Sequence, residues 1–253
     1  MQLEICCYSL QSCINAQKGG ANRIELCNGL FEGGTTPSIG LIKLTVEAVD
    51  IPIYPIIRPR GGDFVYSETE LRVMEEDIRQ AKAAGAKGVV IGILKPDGTV
   101  NISETKRLVE LARPLGVTFH RAFDMTTDPM QALEDIIETG CERILTSGQQ
   151  NYAADAATLL TKLAKAANSR IEIMAGSGVG IKNAEELIKT GIHAIHLSAK
   201  TATESPMRFR NEAVSMASAI NPSEYVRYEA NLGTIQEIKR VMKGLSQRLV
   251  ARD

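Results

Sequence analysis

The chain has 253 residues, 44% hydrophobic and 23% charged, which excludes a disordered or fibrous protein; a chain of this size buries about 70 to 75% of its unfolded surface. Its 29 basic and 30 acidic residues leave a net charge of −1, so no overall field draws it toward nucleic acid or anionic lipid. Trp is absent and the five cysteines, an odd number, are too few for a disulfide scaffold, so aliphatic side chains must fill the core.

From the N-terminus, MQLEICCYSL carries Glu4 and no basic leader, and no apolar run approaches the ~18 residues needed to span a bilayer. A cytoplasmic protein with reduced thiols and no membrane contact is expected. Short β-branched runs then recur at 3–6, 23–27, 53–57, 89–94, 117–121, 143–147, 171–175 and 194–198. Between them, helical periodicity covers 10–18, 38–49, 67–84, 103–113, 129–139, 152–168 and 181–190. Gly19, Gly85, Gly140 and Gly191 stand where a helix end wants a left-handed residue. Ser67 with Glu70 has the acid of a capping box, whereas Ser103 with Lys106 lacks it. Strands alternating with single helices imply parallel pairing and right-handed crossovers. Eight such units predict an α/β fold, a (β/α)8 TIM-type barrel forming one domain over 1–253, with a doubly wound open sheet as the rival. The segment 201–230 reads as irregular. A last amphipathic helix is predicted over 234–250, with Ile235, Ile238, Val241, Met242 and Leu245 on one stripe.

Strand parity assigns side chains to the interior or to the helix layer. Leu3, Ile5, Ile24 and Leu26 suit the helices, which turns Glu4, Cys6, Glu25 and Cys27 inward. His120 and His196 are expected to point in as well. Functional groups of barrels collect at the C-terminal strand ends, and this sequence places Cys6, Cys27, Arg58, Arg60, His120, Arg121, Asp124 and His196 there. Each has a structural explanation on its own: Glu4 or Glu25 paired with Arg58 as a buried ion pair, a lone cysteine as packing. Convergence from five strands argues for a site.

Glycine-rich loops follow strands two, three and seven. AGSGVG, at 175–180, misses the dinucleotide fingerprint because residue 181 is Ile. Loops after strands seven and eight of a barrel commonly cradle phosphate, which makes Gly176, Ser177, Gly178 and Ser198 candidates for an anionic ligand, with Arg58, Arg60, Arg121, Ser147 and His196 around them.

The motifs EICCYS, RIELCNGLFEGGTTPSIG, IRPRGGDF, VTFHRAFDM, RILTSG, AGSGV and PMRFRN, spread over about 2–230, resemble the CutC copper homeostasis family. The resemblance implies a TIM-type barrel, a cytoplasmic homo-oligomer (a dimer or higher) and copper handling through cysteine. Cu(I) favours thiolates, and Cys6 and Cys27 occupy matching ends of neighbouring strands, which lie about 4.8 Å apart, so they are the candidate copper ligands. The alternative is a barrel enzyme acting on a small phosphorylated or carboxylated metabolite. In that scheme Glu4, Glu25 and His120 move protons, Asp124 orients His120, and Arg58 helps to hold the anion. A non-catalytic scaffold with an empty mouth is the third possibility.

Overall fold

The computed structural model describes residues 1–216 and 223–250, with side chains described up to 245. Eight parallel strands form its centre: β1 (Gln2–Cys7), β2 (Arg23–Leu26), β3 (Ile53–Pro55), β4 (Gly88–Ile91), β5 (Gly116–Phe119), β6 (Arg143–Thr146), β7 (Glu172–Ala175) and β8 (Ala194–Leu197). They are ordered β3-β2-β1-β8-β7-β6-β5-β4, and the outer pair meets through a parallel bridge between Ile56 and Val90. The Ile57 amide donates to the Val90 carbonyl at 2.8 Å, and Lys87 to Ile53 at 3.1 Å. The sheet therefore closes, and the open-sheet rival is set aside.

Seven helices cross over between strands: α1 (Leu10–Gly19), α2 (Ile39–Ala48), α3 (Glu68–Ala83), α4 (Ile102–Ala112), α5 (Pro129–Thr139), α6 (Ala157–Ala167) and α7 (Ala184–Lys189). Helix α8 (Leu232–Val250) ends the described chain. Leu3, Ile5, Ile24, Leu26, Val89, Ile91 and Ile195 face the helices and belong to one continuous apolar core. Among the described residues no helix is long and apolar enough to cross a membrane.

The ends of the segment expected to be irregular pair as an antiparallel ribbon, β9 (Lys200–Glu204) with β10 (Val226–Ala230). β9 is exposed along its whole length, so it carries none of the apolar alternation by which a half-buried strand is recognised. The ribbon is fixed at its base: the Ala230 amide donates to Ser12 Oγ at 3.1 Å, and Asn15 Nδ2 donates to the Ala230 carbonyl at 2.9 Å.

Candidate functional site

Register brings the interior groups together. Cys6 lies opposite Glu25 and Glu4 opposite Arg23 across β1 and β2, while on the other flank of β1 Glu4 lies opposite His196 of β8. Arg23 Nε donates to Glu4 Oε2, and its Nη1 to Gln2 Oε1 at 2.8 Å. The buried partner of Glu4 is thus Arg23, and the pairing of Glu4 or Glu25 with Arg58 does not occur. Tyr54 plugs the barrel floor, its ring under the guanidinium carbons of Arg23 at 5.2 Å and Arg143 at 5.7 Å, and its hydroxyl donates to Glu142 at 2.8 Å. Gly88 and Gly116 make room for it, since a Cβ on either would collide with Tyr54.

Above that floor, His196 Nδ1 stands 2.8 Å from Glu4 Oε1 and Nε2 stands 3.6 Å from Glu25 Oε2. Cys6 Sγ and Cys27 Sγ are 3.6 Å apart, and Cys27 Sγ lies 3.5 Å from Glu25 Oε2. Cys6, Glu25 and His196 present ligand atoms within 4.8 Å of one another. The two cysteines, the two glutamates and His196 are all buried.

Mutual contact sets their protonation. The hydrogen bond from Cys27 outweighs burial and, with His196 and Tyr8, pulls the Cys6 thiol well below its ordinary range; burial and the Cys6 charge push Cys27 well above it. Burial opposes ionisation of Glu4, but His196 and Arg23 overcome it and hold its pKa at about 2. Glu25, with burial and the Cys6 charge against it, is raised well above the carboxylate range. Burial disfavours a charged His196 ring, but Glu25, Cys6 and Glu4 raise it well above 6.5. These shifts favour the charged forms of Cys6, Glu4 and His196 and the protonated forms of Cys27 and Glu25.

The cluster forms the base of a cavity of about 730 Å³ at the C-terminal strand ends, lined among others by Cys6, Tyr8, Glu25, Arg58, His120 and His196. Cys27 does not line the cavity itself, but its sulfur stands 3.6 Å from that of Cys6, which does. Arg58 is buried; Nη1 donates to the Glu32 and Gly34 carbonyls at 2.7 and 2.8 Å and Nη2 to the Gly62 carbonyl at 2.8 Å, while Nε is buried without a partner. It organises the loops after β2 and β3. Arg60 points outward to Glu70 at 2.5 Å and Asp63 at 3.2 Å, and does not line the cavity.

Asp124 does not orient His120. It accepts from Arg121 Nε at 2.7 Å, from Thr146 Oγ1 at 2.5 Å, and from the Ser147 amide and hydroxyl at 3.0 and 2.9 Å, tying the strand-six loop to a 3-10 turn over Arg121–Met125. Strand parity stops applying once that turn begins, which lets Arg121 reach the rim beside Ser147. Ser147 is fully buried in this network and Gly176 packs against the His196 ring, so neither lines the cavity, whereas Gly178 and Ser198 do. His120 sits in the wall with Nδ1 accepting from the Ala122 amide at 3.1 Å and Nε2 buried without a partner. Burial, with the Arg58 charge nearby, lowers its pKa to about 3, so the ring is neutral and Nε2 carries the proton.

Tyr8, Glu32, Phe64, Tyr152 and Lys200 also line the cavity and were not among the expected site residues. Tyr8 shares the parity of Glu4 and Cys6, a signal present in the sequence. The others arrive on loops, where no period places a side chain.

A model of the CutC family matches residues 1–201. The chain is 47% identical over 248 residues to a family protein CutC of Bacteroides fragilis, covering 97% of this chain and 98% of that one. It is 43% identical over 244 residues to a human copper homeostasis protein cutC homolog, covering 96% and 89%. A solved CutC structure from Streptococcus agalactiae superposes with a TM-score of 0.74 at 34% identity, over 78% of this chain and 98% of that chain. A thiamine phosphate pyrophosphorylase from Pyrococcus furiosus, at 16% identity and a TM-score of 0.56 over 96% of each chain, shares the barrel fold alone. Closed barrel, inward cysteine pair and sequence similarity agree, and the chain belongs to the CutC family.

Proposed function

We propose that this chain serves copper homeostasis by holding one Cu(I) ion between the sulfurs of Cys6 and Cys27, with His196 Nε2 as third donor. The observation that carries this reading is the sulfur pair at 3.6 Å, in which Cys6 stands within 4.8 Å of a ring nitrogen of His196. Metal–thiolate bonds of about 2.3 Å, the zinc value, put two sulfurs roughly 4.6 Å apart in a linear site and roughly 3.8 to 4.0 Å apart at tetrahedral or trigonal angles. The observed spacing fits the bent arrangements, which call for a further donor. Thiolate and imidazole both suit copper. Glu4, holding Nδ1, would aim Nε2 at the sulfurs, the usual carboxylate support of a ligating histidine.

Five cysteines without disulfides suit the reducing cytosol in which we place the protein. We also propose that it works as a homo-oligomer, at least a dimer, because Met207, Phe209, Val214 and Met216 after the ribbon strand β9 leave large apolar side chains in solvent.

Titration with Cu(I) against a chelating competitor should find one site per chain. Cys6→Ser and Cys27→Ser should each abolish it. Binding should also strengthen as pH rises, because Cys27 and His196 must release protons to become ligands. Wild-type affinity in both cysteine variants would reject the reading.

A further inference from the structure

A cavity of about 730 Å³ is far larger than a metal ion needs, and its upper wall has its own chemistry. After β7, Ser177 and Gly178 both take left-handed backbone angles, φ 77° and 67°, and Val179 follows them. After β8, Ser198 precedes Ala199, also left-handed at φ 46°. All five residues line the cavity, and among the described residues their amides donate to no internal acceptor. These neighbouring loops sit at the rim beside Lys200, whose ammonium lies 5.7 Å from the Tyr228 ring centroid. Unused amides at the ends of adjacent barrel strands, with one cation beside them, are the chemistry that receives a phosphoryl group.

A second observation, on another strand, points to a ligand in the same space. His120 is 4% exposed and its Nε2–H has no acceptor, a costly state for a buried donor. The Nδ1–Cε1 edge of its ring lies against Gly92 and the Ala122 amide, and the residue forms part of the cavity wall. The surrounding Phe64, Leu145 and Val179 are apolar and suit a carbon skeleton between the two polar ends.

We infer that the mouth of the barrel binds a small phosphate monoester, its phosphoryl group on the amides of Ser177, Gly178, Val179, Ser198 and Ala199 near Lys200, and an oxygen of its body on His120 Nε2–H. This site is separate from the sulfur pair. It also replaces the wider anion set read from the sequence, since Arg60, Ser147 and Gly176 do not reach the cavity and Arg121 is committed to Asp124.

Isothermal titration of the full chain with glycerol 3-phosphate, inorganic phosphate, glycerol and succinate at constant ionic strength tests the inference. Glycerol 3-phosphate should bind tightest, inorganic phosphate more weakly at the same site, and the other two should give no heat. Ser198→Asp, which sets a carboxylate among the amides, should weaken phosphate binding at least about tenfold, and Lys200→Gln several-fold. The second variant changes an exposed residue and keeps the test valid should the first fail to fold. Cys27→Ser, at a residue that does not line the cavity, should bind these probes as wild type does, whatever happens to its copper affinity. No heat from either phosphate, succinate binding as well as glycerol 3-phosphate, or full affinity in Lys200→Gln would each overturn the inference.

Discussion

At the scale of single residues, the two interior histidines show how burial alone does not decide charge. His196 is ringed by carboxyl groups and a sulfur and is raised above 6.5, while His120, with apolar neighbours and the Arg58 charge near it, falls to about 3. Their linkage to stability therefore has opposite signs. The His196 contribution is complete below pH 6.5 and fades as pH rises through its folded value. His120 binds a proton more readily when unfolded, so its contribution is complete above pH 6.5 and is lost as pH falls toward 3. As pH falls below 6.5 the loss from His120 steepens toward about 1.4 kcal/mol per pH unit, reached as the unfolded imidazole becomes fully protonated. Urea denaturation across that interval should show stability falling with acidity in the wild type and a flatter profile in His120→Gln. Inward parity made both histidines legible in the sequence. Their opposite electrostatics was not, because it comes from partners such as Glu4 and Glu25 on other strands, and pairing registers are invisible in a linear pattern.

Among elements, helix existence was easier to read than helix ends. The capping box at Ser67 and Glu70 forms as the motif predicts, with Ser67 Oγ accepting from the Glu70 amide at 3.3 Å and the Ser67 amide donating to Glu70 at 2.8 Å. Helix α4 starts earlier than Ser103 because Asn101 accepts from the Glu104 amide at 3.3 Å and supplies the cap. Gly85, Gly140 and Gly191 take the left-handed position expected of them. Gly19 does not: it closes α1 in helical conformation, and Gly20, at φ 89°, makes the turn. What requires glycine at 19 is tertiary, since a Cβ there would run into Ile235 of α8. Gly19→Ala should therefore destabilise the protein by about 1 to 3 kcal/mol in chemical denaturation, although alanine is the better helix former. The loops after β2, β3 and β6 were legible only as glycine-rich or polar stretches. Their real organisers are Arg58 and Asp124, each bonding backbone atoms far along the chain, and no local motif announces such a role.

For the whole molecule, alternation of strands and helices predicted parallel strands under a helix layer and left a doubly wound open sheet as the rival; the hydrogen bonds between the Ile53–Ile57 and Lys87–Val90 segments close the cylinder. Its polar interior departs from the branched aliphatic filling usual in such barrels, with Arg23, Arg143, Glu4 and Tyr54 below the cysteines. The proposed association of chains is a property of this scale too. Sedimentation velocity should report at least a dimer, and Phe209→Glu should shift it toward the monomer if the apolar residues after β9 form the contact. Closure itself joins the two extremities of the sequence: β1 pairs with β8, and Ile235 packs on Gly19. On the ribosome this means that the edge of the first strand that meets β8 stays unpaired until most of the polypeptide has emerged. One edge of the earliest-made segment is thus among the last to be secured, and the Glu4–His196 contact at the base of the site forms only at that step.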